Sequence, residues 1–195
     1  MGTEKKIMEE MKNLLEERFH FISEVNKEFL LSFDEEMEKL GYGIYEVKDA
    51  YPWAMNWIGA KYMINYKVKR LKTRKLVAHV FVKEDGIFLR LFALKNNVRT
   101  IKARSVIAPH RAYIESAPPH IKKLFTVEVP ACHHCNDDNG NGYCYRLDTY
   151  TVDGNVYERC IGKGFDIWDP TMEKLPDYIE MLSELNSKKK SDPVQ

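Results

Sequence analysis

Residues 61–94 read KYMINYKVKRLKTRKLVAHVFVKEDGIFLRLFAL. Apolar side chains alternate at Tyr62, Ile64, Tyr66 and Val68, and two further runs rich in β-branched and aromatic residues follow at 76–83 and 87–94. Glu84-Asp85-Gly86 joins the last two as a hairpin turn. Three strands linked in this way make an antiparallel meander. With helical patterns on either side, they place the chain in the α+β class.

Before the meander, residues 4–40 carry Ile7, Met11, Leu14 and then Ile22, Val25 and Phe29 three or four apart, a helical period. Ser32 followed by Glu35 has capping-box spacing and Gly41 suits the position past a helix end, which predicts a break near Ser32 and a shorter second helix through Leu40. Residues 42–60 predict a short strand followed by an irregular aromatic segment. There Tyr51, Trp53 and Trp57 either cover the edge of the core or line a ligand site, where such rings also stack on bases.

Beyond Asn97 two helical pieces are expected, the second restarted by Pro118-Pro119, with Ile121, Leu124 and Phe125 turned inward. His110 and His120 border them as surface or capping histidines. Residues 143–152 and 155–161 read as a hairpin around Asp153-Gly154. A strand at 165–168, the turn Asp169-Pro170 and a helix at 176–185 close the fold, and 187–195 reads as a disordered tail. The expected organisation is a single α+β domain over 1–186. An antiparallel sheet packs against N-terminal helices (1–41) and a C-terminal helix, with a cysteine-rich loop and hairpin at 130–161.

That cysteine-rich stretch, PACHHCNDDNGNGYCYRLDTYTVDGNVYERC at 130–160, contains all four cysteines of the chain. Cys132 and Cys135 have the C-x2-C spacing that lets two thiolates meet one ion, and 136–142 is a polar bend able to fold over it. Cys144, Cys160, His133 and His134 are the further candidate ligands, and zinc is the expected metal. The hairpin constrains this set. With Asp153-Gly154 as a two-residue turn, paired positions sum to 307 and Cys160 faces Leu147, while Cys144 points to the other side roughly 10 Å along the strand. Ligand sulfurs must come within about 2.3 Å of one zinc. Either a bulge brings Cys160 round, or three cysteines bind together with His133 or His134. Reduced thiols without metal and a redox disulfide stay open beside zinc. Asp137 and Asp138 are the only local general bases for a catalytic metal, so a metal-dependent enzyme is a further alternative.

The net charge of +1 conceals a segregation. Residues 61–123 hold 16 Lys/Arg against 3 Asp/Glu, whereas 1–60 and 124–195 each hold 7 against 13. Lys67, Lys69, Arg70, Lys72, Arg74 and Lys75 come from one turn and could grip a nucleic acid or another polyanion. Equally, the block could pair with the acidic flanks, or protect a strand edge. No signal-like apolar segment or membrane span is seen, so a cytoplasmic protein without membrane contact is expected, with clustered cysteines reduced. No phosphate-binding glycine loop, nucleophile elbow or H-E-x-x-H is present.

The K-Y-x-x-x-Y start of the meander, the proline-broken helix, the D-G hairpin and the closing LPDYIEMLSEL resemble, in layout over about 55–185, small bacterial α+β proteins of the YdhG-like kind. The cysteine-rich insertion departs from that layout. The resemblance implies a small-ligand- or partner-binding domain and carries over no catalytic residue. The expected partners are a small molecule or a protein, with nucleic acid and a homo-oligomer as alternatives.

Overall fold

The structure, a computed structural model, describes residues 19–69, 75–93, 105–127, 147–160 and 162–187. Its strands are β1 (Tyr42–Asp49), β2 (Ala60–Val68), β3 (Leu76–Lys83), β4 (Ile87–Leu91), β5 (Leu147–Val152), β6 (Asn155–Cys160) and β7 (Phe165–Trp168). They form a five-stranded antiparallel sheet of order β1-β2-β3-β4-β7 and a separate β5-β6 ribbon. The fold is α+β. By its internal contacts the chain divides into two compact units, Met1–Leu91 with Asp166–Ile179, and Phe92–Phe165 with Glu180–Gln195.

In the first unit, Met63, Ile64, Asn65 and Tyr66 of β2 are all buried, so both sheet faces are covered at that strand. The helix α1 (Glu24–Lys39) serves one face with Phe29, Leu30, Phe33 and Met37. Phe33 meets the ring of Tyr66 edge-on, 5.3 Å between centroids. The Tyr66 hydroxyl donates to the Asp34 carboxylate. Burial pushes the phenol pKa well up and is also the main cause of the raised Asp34 pKa. The helix α2 (Pro52–Ile58) serves the other face. Its Ala54 and Ile58 form one cluster with Ala50, Ala60, Met63, Phe81 and Phe88.

Two local expectations are corrected. Ser32 does not break α1. The helix is capped at Ser23, whose hydroxyl accepts the Asn26 N–H at 3.3 Å, and it continues because Phe29, Phe33 and Met37 form one stripe that a break would divide. That stripe drifts about 40° per four residues, which rotates Val25 away from it and leaves Val25 66% exposed. The helical residues expected before position 19 lie outside the described residues. The segment expected to be irregular is α2 itself. Pro52 fits its first turn and Gly59 ends it in the left-handed region (φ 69°), donating to the Ala54 carbonyl.

In the second unit Asp153 (φ 49°) and Gly154 (φ 80°) make the left-handed two-residue turn expected of the hairpin. The register follows: Val152 faces Asn155 and Cys160 faces Leu147. The helices α3 (Arg111–Ser116) and α4 (Pro119–Thr126) precede the ribbon. Ile121 and Phe125 are buried, and Leu124 is half-buried. The Tyr150 hydroxyl donates to the Phe125 carbonyl at 2.5 Å. Buried Arg159 donates to the carbonyls of Leu124 and Gly164, and Asp148 accepts the N–H groups of Val106 and Ile107. His110, expected as a surface or capping histidine, occupies the N-cap position of α3 without a side-chain capping bond and is buried, not at the surface, with Nδ1 3.5 Å from Glu184 Oε1. The last helix, α5 (Leu175–Asn186), covers the expected 176–185.

Phe33 ties α1 to the sheet, so Phe33→Ala is expected to lower unfolding stability by about 3–5 kcal/mol in urea denaturation. Val25→Ala, on the exposed side of the same helix, is expected to change it by less than about 0.5 kcal/mol.

Candidate ligand-binding face

A bulge decides what the α2-side face of the sheet carries. Ile44 pairs with Tyr66 and Glu46 with Asn65, so Tyr45 is extra. In strict alternation Ile44 and Glu46 would share a face. The inserted residue sends Glu46 to the opposite side, beside Asn65, while Val47 returns to the side of Ile44. Pairing then continues Asn65 to His79 and His79 to Arg90. Arg90 in turn reaches Asp166 of β7, with Nε to Oδ1 at 2.5 Å and Nη2 to Oδ2 at 2.8 Å. Glu46, Asn65, His79, Arg90 and Asp166 therefore form one polar row that crosses all five strands.

Within this row Asn65 is 5% exposed and donates through Nδ2 to Glu46 Oε2 at 3.0 Å, while its Oδ1 has no hydrogen-bond donor among the described residues. Glu46 also holds Lys48 at 3.1 Å, a pairing that lowers the carboxyl pKa. The Lys48 ammonium donates to the Tyr51 hydroxyl at 3.0 Å. His79 is brought down to a pKa of about 4, first by burial and then by repulsion from Arg90, Lys48 and Lys67, so its imidazole is neutral at physiological pH.

Beside the polar row lies an apolar one, Met63, Phe81 and Phe88, on which α2 sits. The helix projects its aromatic edge past this row. Trp53 lies 5.6 Å from Phe81 and beneath the Arg90 guanidinium, 5.4 Å from its ring centroid. Trp57 stands 6.4 Å from Trp53 and 6.1 Å from Trp168 of β7, whose ring is 4.6 Å from Phe88. Despite these contacts Tyr51, Trp53, Trp57 and Trp168 are 43%, 41%, 65% and 50% exposed. The rings rest on the core edge with much of their surface in water. The sequence singled out the first three.

It did not single out Trp168, Glu46, Asn65, His79, Arg90 or Asp166. The available signals were small: the spacing of Ile44 and Val47, which breaks period two, and polar residues at Asn65 and His79 inside otherwise apolar strands.

Of the predicted metal ligands only Cys160 falls within the described residues, buried at the end of β6. Cys132, His133, His134, Cys135 and Cys144 lie outside them, and among the described residues no three His, Cys, Asp or Glu side chains group as a metal site. Arg70, Lys72 and Arg74 of the basic turn also lie outside. Lys69 pairs with Glu38 at 2.7 Å, Lys67 stands 3.4 Å over the Tyr45 ring, and the Lys75 carbonyl accepts the Val68 N–H. Among the described residues no helix is long and apolar enough to cross a membrane.

Because folded His79 resists protonation, stability is expected to be complete above the ordinary imidazole value of 6.5 and to fall as pH drops towards about 4, where the unfolded chain binds a proton the folded one refuses. The gap corresponds to about 3 kcal/mol. Urea midpoints at about pH 7 and about pH 4.5 are expected to converge in His79→Gln relative to the native chain. Comparison of the chain with protein-family models, with curated proteins and with solved structures finds no match in any of the three.

Proposed function

We propose that the five-stranded unit is a small-ligand-binding domain and that its site is the polar row bordered by the aromatic edge of α2. The observation that carries this reading is the gathering of all three tryptophans of the chain, each at least 41% exposed, beside hydrogen-bonding groups fixed on a rigid sheet. Single exposed apolar residues such as Val25, Leu31 and Val156 are ordinary on a surface. A cluster bordered by oriented polar groups is what small-molecule sites present. A ligand covering roughly 100 Å² of indole surface would gain about 2.5 kcal/mol from that contact alone.

Since every tryptophan is in the cluster, intrinsic fluorescence reports on it without labelling. A panel of ring-bearing solutes of both charges is expected to include members that shift the emission saturably, and Trp53→Ala is expected to weaken the tightest of them about tenfold while far-UV circular dichroism is unchanged. A panel in which no solute alters the emission would defeat the reading.

A second reading, a structural zinc site, rests on the confinement of every cysteine to 132–160. Metal analysis of protein purified without chelator is then expected to give close to one zinc per chain, lost in Cys135→Ser together with a lower melting temperature. Metal-free protein that melts unchanged after this substitution would leave the cysteines without a metal role. The polyanion alternative has less support, because Lys69, Lys83, Arg90 and Lys122 of the basic block are each paired with a carboxylate from an acidic flank.

A further inference from the structure

The centre and the ends of the polar row differ in charge. Its carboxylates sit at the ends, Glu46 on β1 engaged by Lys48, and Asp166 on β7 engaged by Arg90. The centre is His79, faced by Lys48 from β1, Lys67 from β2 and Arg90 from β4, with the Asn65 amide as its pairing neighbour. All three of these cations repel a proton from the imidazole. With Lys48 paired to Glu46 and Arg90 to Asp166, three cations against two carboxylates leave these five groups with one positive charge in excess, and all three cations act on His79.

The aromatic element borders that same point. Trp53 contacts Phe81, Phe81 contacts His79 edge-on at 5.5 Å, and Arg90 spans from the Trp53 ring into the polar row. An apolar plane and a cationic centre thus lie side by side. Resting on the ligand-binding reading above, we infer that the site takes a planar aromatic ring carrying an anionic group, a carboxylate or a phosphate, with the ring against Trp53 and the anion over His79 between Lys48, Lys67 and Arg90.

Each part of this assignment has its own physical basis. A cationic ligand would meet the repulsion that, after burial, helps keep His79 neutral, and a neutral ring would leave the cations with no new partner. An anion gains from all three cations. It also feeds back on His79. A negative charge beside the ring favours the imidazolium, so ligand binding must raise the titration midpoint of His79 above about 4.

The test is a nuclear magnetic resonance titration of the full chain that follows the three tryptophan indole N–H signals and the His79 imidazole. The probes are naphthoate, naphthyl phosphate, naphthamide and inorganic phosphate. The two anionic naphthalenes are expected to move the Trp53 and His79 signals together, to bind about tenfold more tightly than naphthamide, and to raise the His79 midpoint. A Lys48→Gln/Lys67→Gln variant, altered only at part-exposed side chains, is expected to bring naphthoate down to the affinity of naphthamide. Equal binding of naphthoate and naphthamide to the native chain, with the Trp53 signal moving for both, overturns the anion assignment and leaves the ligand-binding reading standing. Inorganic phosphate binding as tightly as naphthyl phosphate overturns the ring assignment. If no probe moves a tryptophan signal, both the assignment and the reading beneath it fail.

Discussion

The constraint on which the five-stranded unit depends is that its central strand is interior on both sides. Ile64 and Tyr66 point one way, Met63 and Asn65 the other, and all four are within 5% of full burial. An isolated antiparallel sheet can leave one face in water, but this one needs two covers. The first, α1, is long, capped and apolar along one stripe. The second, α2, has seven residues and two small or medium inward side chains, Ala54 and Ile58. So short a cover reaches the Met63, Phe81 and Phe88 row and leaves the neighbouring Asn65, His79 and Arg90 row for polar residues.

From that shortness the character of the candidate site follows. Where the cover ends, its large side chains, Trp53 and Trp57, overhang the sheet instead of being enclosed by it. Where the polar row begins, groups must find partners along the sheet. Glu46 takes Asn65 and Lys48, while Asp166 takes Arg90 in a forked pair. His79, at the middle, stays uncharged because burial and three nearby cations act in the same direction. The bulge at Tyr45 is the device that makes the row continuous to β1. Without it Glu46 would face the side of Ile44 and Tyr66, a costly place for a carboxylate.

Much of this was legible wherever the determining interaction is local. The two hairpins, the Val152–Asn155 register and its consequence for Cys160 and the strand at 165–168 follow from turn chemistry and period-two alternation, and the last helix follows from its own local apolar pattern. Local signals also misled. Ser32 and Glu35 have the spacing of a cap, but the stripe through Phe29, Phe33 and Met37 outweighs a motif worth about 1 kcal/mol. Pro52 and Gly59 were helix start and stop signals for a segment too short to show a period. The polar row was out of reach for a different reason. Its members lie up to 120 positions apart, and only sheet order brings Asp166 to Arg90. No window of sequence contains that neighbour relation.

Charge segregation along the chain is likewise met, among the described residues, by partners that only the fold supplies. A middle segment with 16 basic residues against 3 acidic ones suggests a polyanion surface when read linearly. In the fold, Lys69 meets Glu38, Lys83 meets Asp169, Arg90 meets Asp166 and Lys122 meets Asp153, so acids from both flanks are drawn against the basic block. Exposed pairs of this sort are worth little to stability singly, yet each offsets one positive charge that a phosphate backbone would sense. Among the described residues of the polar row, Lys48 and Arg90 are each paired with a carboxylate, and Lys67, over a tyrosine ring, is the cation in excess beside the neutral imidazole. Around His79 that charge lies within the width of a few strands, a scale suited to orienting one anionic group beside an indole.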